Sequence, residues 1–241
     1  MRFYRSLQPI KAISFDLDDT LYPNMPIIIA AEQAQFDFLQ QHCSAAQATD
    51  IKQWQQFRMQ LAQRKPELQS DIGQLRQQAT YLQLCQLGVA ATQASDLAKK
   101  AFDAFYQRRI QVDIEPAVMQ LLTQLAESYP LVALTNGNAC ITAMGLADIF
   151  QFSLAANLNL AAKPARAMFQ RCCQQLAIEP QHLLHVGDSQ SSDVQGAINA
   201  GCMSVWYNPQ RKRLSNTCAL PCAEIEDLQQ LAVLLPSNTT S

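Results

Sequence analysis

The sequence predicts an α/β protein, a doubly wound parallel sheet of Rossmann-like type with a helical domain inserted after its first strand. Three observations predict it. Apolar runs of four or five residues alternate with helical segments of ten or more, the pattern of βαβ units. Residues 23–111 are rich in Gln, Ala and Leu and keep helical apolar spacing throughout. Three of the apolar runs end in polar clusters, and open α/β sheets bind ligands at that rim, outside the carboxyl ends of their strands.

The elements follow in order. Ala12-Ile13-Ser14-Phe15 reads as a buried strand leading into the loop Asp16-Leu17-Asp18-Asp19. Helical spacing then recurs in Ile29, Phe36 and Leu39, in Trp54, Phe57 and Leu61, in Leu75, Leu82 and Leu84, and in Leu97, Phe102, Phe105 and Tyr106. Pro66, Gly73 and Gly88 punctuate these segments, so 23–111 is expected to be a bundle of about four helices. The remainder, 1–22 and 112–241, is expected to form the Rossmann-like core. A helix over 116–128 leads to the strand Leu131-Val132-Ala133-Leu134, ending in Thr135-Asn136-Gly137. A helix near 165–176 precedes Leu183-Leu184-His185-Val186, ending in Gly187-Asp188, and a helix near 192–200 precedes Met203-Ser204-Val205-Trp206.

Composition bounds the function. The 241 residues are 49% hydrophobic and 16% charged, enough for a sizeable core, and the net charge of -2 gives no sign of a nucleic-acid partner. No apolar run approaches the roughly 18 residues that cross a bilayer. The N-terminal stretch reaches acidic residues before any signal-type apolar segment, so a cytoplasmic protein without a membrane partner is expected. The eight cysteines form no C-x-x-C pair and are expected as reduced, mostly buried thiols, with Cys218 and Cys222 as an alternative metal or redox pair. The Asn238-Thr239-Thr240 sequon has meaning only in a secreted chain.

The chemistry is concentrated at three strand ends: Asp16, Asp18 and Asp19; Thr135 and Asn136; and Asp188. In extended backbone Asp16 and Asp18 point to the same side and address one site. Crowded carboxylates without His or Cys companions favour a hard cation, and Mg²⁺ suits phosphate chemistry. Asp16 is then the candidate nucleophile, and Asp18 the acid that protonates a leaving alkoxide and later activates water. Asp19 is expected to serve the loop. Thr135 offers a hydroxyl, and Asn136-Gly137 a turn whose N–H groups suit phosphate oxygens. Lys163, just before Pro164 and a helix start, can offset phosphoryl charge, with a surface lysine as the plain alternative. Asp188 is a candidate metal ligand. Asp193 is a candidate to hold Lys163 or the hydrated metal, or else an ordinary helix N-terminal acid. His185 lies in strand rather than at the rim and is expected to be structural.

The segments FDLDDTLYP, LTNGN, the Lys-Pro of AAKPARAMF and HVGDSQSSDVQGAINAGC resemble, in order and spacing, the four motifs of the haloacid dehalogenase-like superfamily. The likeness runs from Ile13 to about Trp206, with 23–111 corresponding to the family's helical cap. It implies Asp16 as nucleophile and Asp18 as acid/base, with phosphate contacts from Thr135, Asn136 and Lys163. It also implies a Mg²⁺ held by Asp16, the Asp18 carbonyl and Asp188, with Asp193 in support. The second aspartate sets the chain apart from the dehalogenase branch. MRFYRSLQPIKAISFDLDDTLYPNMP and HVGDSQSSDVQGAINAGCMSVWYNP are similar to the family's bacterial riboflavin-pathway phosphatases. That likeness implies a small phosphorylated metabolite as partner, either 5-amino-6-(5-phospho-D-ribitylamino)uracil or FMN. Ser189 stands where a second acid is expected in those relatives. Arg76 lies where related caps carry an arginine and is a candidate contact to substrate or core loop, or else a solvated helical residue. Trp54, Tyr81 and Tyr106 are candidates to stack on a pyrimidine or flavin ring, or core residues. The alternatives are a nucleotide or sugar phosphatase, a phosphomutase, or a non-catalytic phospho-ligand module.

Overall fold

The computed structural model describes residues 1–235; the 238–240 sequon lies outside them. The chain divides into two compact units, Met1–Pro23 with Asp113–Ser241, and Asn24–Val112. Each boundary falls one residue beyond the expected position.

In the first unit the short β1 (Arg2–Phe3) is followed by β2 (Ala12–Phe15), which is buried at every position. The second unit then intervenes with α1 (Asn24–His42), α2 (Ile51–Arg64), α3 (Ile72–Gln86) and α4 (Ala91–Arg109). The chain returns through α5 (Pro116–Ala126), β3 (Leu131–Thr135), β4 (Phe150–Ala155), α6 (Ala167–Leu176) and β5 (Leu183–Gly187). It closes with α7 (Gln195–Asn199), β6 (Met203–Tyr207), β7 (Ala223–Ile225) and α8 (Gln230–Leu234).

Among the described residues the sheet has seven strands in the order β1-β7-β6-β5-β2-β3-β4. All pairs are parallel except β1 with β7, so the expected parallel sheet carries one antiparallel edge. From β2 the chain winds outward through β3 and β4, then crosses back to place β5 on the other side of β2. This reversal is the topological switch point of a doubly wound fold, where the carboxyl ends of β2 and β5 part and leave a crevice. β2, β3 and β5 are fully buried because helices cover both faces of a parallel sheet, which is why their sequences are continuous apolar runs. Phe169, Cys172 and Cys173 of α6 pack on Val132, Leu134 and Leu183 of the strands.

The helical unit is built on local signals. Asp50 caps α2 in a reciprocal box with Gln53, and Asp71 caps α3 by accepting from the Gln74 N–H. α4 packs against α1 and α3, and α2 against α3. Trp54 and Tyr81 join Leu39, Leu84 and Leu97 in one apolar cluster, while Tyr106 stacks on Phe102 with centroids 6.1 Å apart. All eight cysteines are free thiols. Among the described residues no helix is long and apolar enough to cross a membrane.

Candidate active site

The β2–β5 register builds the site in layers. Ser14 pairs with His185 and Phe15 with Val186, so the next residues on the Ser14 face are Asp16 and Gly187. The Asp16 N–H donates to the Val186 carbonyl at 2.9 Å, fixing the carboxylate at the mouth of the switch point. The chain then turns sharply. Asp19 takes the left-handed conformation at φ 58° and donates its N–H to the Tyr22 carbonyl, the loop role expected of it. Asp18 accepts a hydrogen bond from the Tyr22 hydroxyl.

Lys163 is the centre of charge. It is 3% exposed, and its ammonium donates to Asp16 Oδ1 at 2.7 Å, Asp193 Oδ1 at 2.7 Å and the Leu134 carbonyl at 2.6 Å. A surface lysine it is not. Burial opposes its charge, but Asp16 and Asp193 outweigh that and raise its pKa. The segment is held in place by Asn136, whose side-chain Oδ1 accepts from the Lys163 N–H at 2.7 Å while Nδ2 donates to the Lys163 carbonyl at 2.9 Å. The Asn136 amide thus clamps the backbone of Lys163. Thr135, buried at the end of β3, accepts the Gly137 N–H at 2.9 Å and shapes the following turn.

Asp193 sits on a π-helical turn, Gln190–Val194, a local widening frequent at functional sites. Ser189 caps that turn by accepting the Ser192 N–H at 3.1 Å, and its own N–H donates to Asp193 Oδ2 at 2.9 Å. The main chain of residue 189 therefore positions Asp193, while the serine side chain caps the turn. His185 Nε2 completes the set at 3.1 Å from Asp193 Oδ1. Burial works against the Asp193 charge, yet Lys163 and His185 hold its carboxyl well below the usual range.

Asp16, Asp188 and Asp193 each offer a carboxylate oxygen within 4.8 Å of the others. Burial pushes Asp16 up to about 8 against the pull of Lys163. Burial, with the negative charges of Asp193 and Asp19, pushes Asp188 up to about 6. An all-oxygen donor set in which Asp16 and Asp188 resist ionisation fits a hard divalent cation, which removes that resistance. Asp193 has its oxygens engaged by Lys163, His185 and Ser189, which leaves Asp16 and Asp188 as the better placed ligands.

Two participants escape a reading of the sequence. The Thr20 hydroxyl, 2% exposed, lies 3.5 Å from Asp16 Oδ2 and 3.4 Å from Asp188 Oδ1, and accepts the Asp188 N–H at 3.2 Å. Trp206 Nε1 donates to the Asp188 carbonyl at 2.9 Å. Position four residues after Asp16 was the available signal for Thr20; nothing local marks Trp206.

Arg76 needs correction as a solvated helical residue. It is 8% exposed, its guanidinium donates to Gln35 Oε1 at 3.0 Å and Glu32 Oε1 at 3.1 Å, and it lies 3.8 Å over the Phe105 ring. These partners belong to the helical unit, and there Arg76 is a packing residue. Arg58 pairs with the same Glu32, and the two cations overcome burial to lower the Glu32 pKa.

Comparison with known proteins adds independent observations. The family model for haloacid dehalogenase-like hydrolases matches residues 10–201. The chain is 35% identical over 238 residues to the 5-amino-6-(5-phospho-D-ribitylamino)uracil phosphatase YigB of Escherichia coli, covering 98% of this chain and all of that protein. It is 28% identical to the N-acylneuraminate-9-phosphatase of Rattus norvegicus, over 58% of this chain and 60% of that one. A crystal structure of a 2-haloacid dehalogenase from Pseudomonas syringae superposes with a TM-score of 0.88 at 36% identity, covering 94% of this chain and 98% of that one.

Proposed function

The chain belongs to the haloacid dehalogenase-like hydrolases and is a phosphatase, and on that premise we propose that it hydrolyses a small phosphate monoester through an aspartyl-phosphate on Asp16. The observation that carries the reading is the bridge made by Lys163 between Asp16 and Asp193 at the switch point, with Asp188 facing it. A nucleophilic carboxylate is repelled by an anionic ester, and a buried cation 2.7 Å away offsets that repulsion.

In the first step Asp16 attacks phosphorus while the bond to the leaving alkoxide breaks, and Asp18 gives that oxygen its proton. In the second step Asp18 takes a proton from water, whose oxygen attacks the aspartyl-phosphate and releases phosphate and free Asp16. Asp16, Asp188 and the Asp18 carbonyl are the proposed Mg²⁺ ligands, and the bound ion supplies positive charge that keeps Asp16 ionised and neutralises phosphate oxygens. Thr135 and Lys163 are the proposed side-chain phosphate contacts. At Asn136 the contact passes to the main-chain N–H, because its amide holds Lys163. Asp18 also favours an ester over a halide as substrate, since an alkoxide needs a proton to leave and a halide does not.

We infer that the substrate is 5-amino-6-(5-phospho-D-ribitylamino)uracil, with FMN, which carries the same ribityl phosphate, as a second ester. The support is end-to-end likeness to YigB. The test is a phosphate-release panel of flavin, nucleotide and sugar phosphates plus a 2-haloacid, run with Mg²⁺ on the native protein and on Asp16→Asn. A preference for the ribityl phosphates, lost in the variant, is expected. Equal slow rates on all esters would remove the substrate assignment, and full activity in Asp16→Asn would remove Asp16 as nucleophile.

A further inference from the structure

His185 lies one strand layer below the chemistry, completely buried in the middle of β5. A polar ring there is costly unless both nitrogens are bonded, and both are. Nδ1 is 2.9 Å from the Ser14 hydroxyl, its cross-strand neighbour, and Nε2 is 3.1 Å from Asp193 Oδ1. The Asp193 carboxylate only accepts, so the ring proton resides on Nε2, and Nδ1 accepts from the Ser14 hydroxyl. Phe169 meets the ring edge-on at a centroid distance of 5.0 Å, which fixes its plane. A continuous chain results, running Ser14, His185, Asp193, Lys163, Asp16, with every link between 2.7 and 3.1 Å.

We infer that His185 is a positioning residue for phosphoryl transfer, its Nε2–H orienting Asp193 so that Lys163 is aimed at the Asp16 carboxylate. The inference rests on the reading of Asp16 as nucleophile. Asp193 Oδ1 receives two donors, Lys163 and His185, while Oδ2 receives the Ser189 N–H. Without the imidazole, the carboxylate can pivot about Ser189 and carry the ammonium with it. Lys163 has three hydrogens and three acceptors, so a shift at Asp193 is transmitted to Asp16. Groups that orient a reacting shell through one intervening residue commonly alter activity by 10- to 100-fold when removed.

The experiment uses the full chain with p-nitrophenyl phosphate at saturating Mg²⁺, and melting temperature as a fold check. His185→Leu should lower kcat by about 10- to 100-fold with KM within about threefold. His185→Gln, whose Nε2–H takes the place of the ring's, should recover most of kcat. His185→Asn reaches only as far as Nδ1 and should stay low. Ser14→Ala leaves the far nitrogen unpaired with little change in volume and should lower kcat severalfold with a melting temperature lowered by only several degrees, which keeps the test decisive if His185→Leu does not fold. Equal kcat losses in the Gln and Leu variants would overturn the inference, as would a folded His185→Leu or Ser14→Ala with native kcat. If instead the native protein releases no p-nitrophenol, the phosphomonoesterase reading itself is what fails.

Discussion

Replacing Gly187 by alanine drives a methyl group into Asp193. A Cβ on Gly187 would lie 2.3 Å from Asp193 Cγ, 2.4 Å from Oδ2 and 2.6 Å from Cβ, where ordinary contact begins at 3.4 Å. Asp193 must therefore retreat by about 1 Å, because Gly187 itself is held in β5, the strand paired with both β2 and β6. A retreat of that size carries bonds now 2.7 Å to Lys163, 2.9 Å to Ser189 and 3.1 Å to His185 beyond bonding range. Breaking a buried ion pair on one side costs about 3–5 kcal/mol, which for a chain of this size lowers the melting temperature by roughly 6–20 °C. Displacing reacting groups by about 1 Å costs on the order of 100-fold in kcat. Differential scanning calorimetry and p-nitrophenyl phosphate turnover read the two effects. The control is the same substitution in an Asp193→Gly background, where the three atoms nearest the methyl are gone and the further loss should be below about 1 kcal/mol. Equal losses in both backgrounds, or a native melting temperature and turnover in Gly187→Ala, would refute the reasoning.

Three further outcomes are expected. Lys163→Met leaves Asp16 and Asp193 buried without their shared cation, so it should destabilise by about 3–5 kcal/mol, and adding Asp193→Asn should restore part of that in thermal unfolding. For the metal-free protein the sign is set by Asp16 and Asp188, whose folded pKa values of about 8 and about 6 lie above the ordinary carboxylate range. Their stabilising contribution is full at low pH and lost as pH rises through those values, so the melting temperature in EDTA should fall between pH 5 and 8. Mg²⁺ at a fixed concentration, a hundredfold above its Kd at pH 8, should restore about 2.7 kcal/mol there and less at pH 5, where protons compete for the carboxylates; a pH-independent gain would contradict the assignment. Arg76→Lys should destabilise the helical unit by about 1–3 kcal/mol in chemical denaturation, because one ammonium cannot serve Glu32 and Gln35 while lying flat on Phe105; native stability in that variant would show the guanidinium geometry to be idle.

The elements legible in the sequence are those whose local pattern has a single structural solution. β2, β3, β5 and β6 are nearly continuous apolar runs because both sheet faces are covered, and each ends abruptly in the polar residues of the rim. β4 escapes notice because its burial is mixed, as expected of an edge strand, and β1 because two residues carry no period. The helix expected over 192–200 begins instead as a π-helical turn, a choice made by where Asp193 must be delivered rather than by local propensity.

At the site, strand-end logic brings Asp16, Lys163, Asp188 and Asp193 together from three separated segments. What it misses is the second partner of each group. Asn136 looks like a phosphate donor until its amide is seen to form two backbone bonds with Lys163. His185 looks like a strand residue until the register sets it beside Ser14 and beneath Asp193. The second follows from one geometric fact: in a parallel pair, residues two apart on facing strands share a face, so the layer beneath the proposed catalytic carboxylate is occupied by whatever precedes it by two. For Asp16 that residue is Ser14, and across the register it is His185. The positions on that face of β2 and β5 are thus constrained by the carboxylates above them, Asp16 and Asp193. Substitutions at Ser14 or His185 should accordingly be felt in turnover as well as in stability.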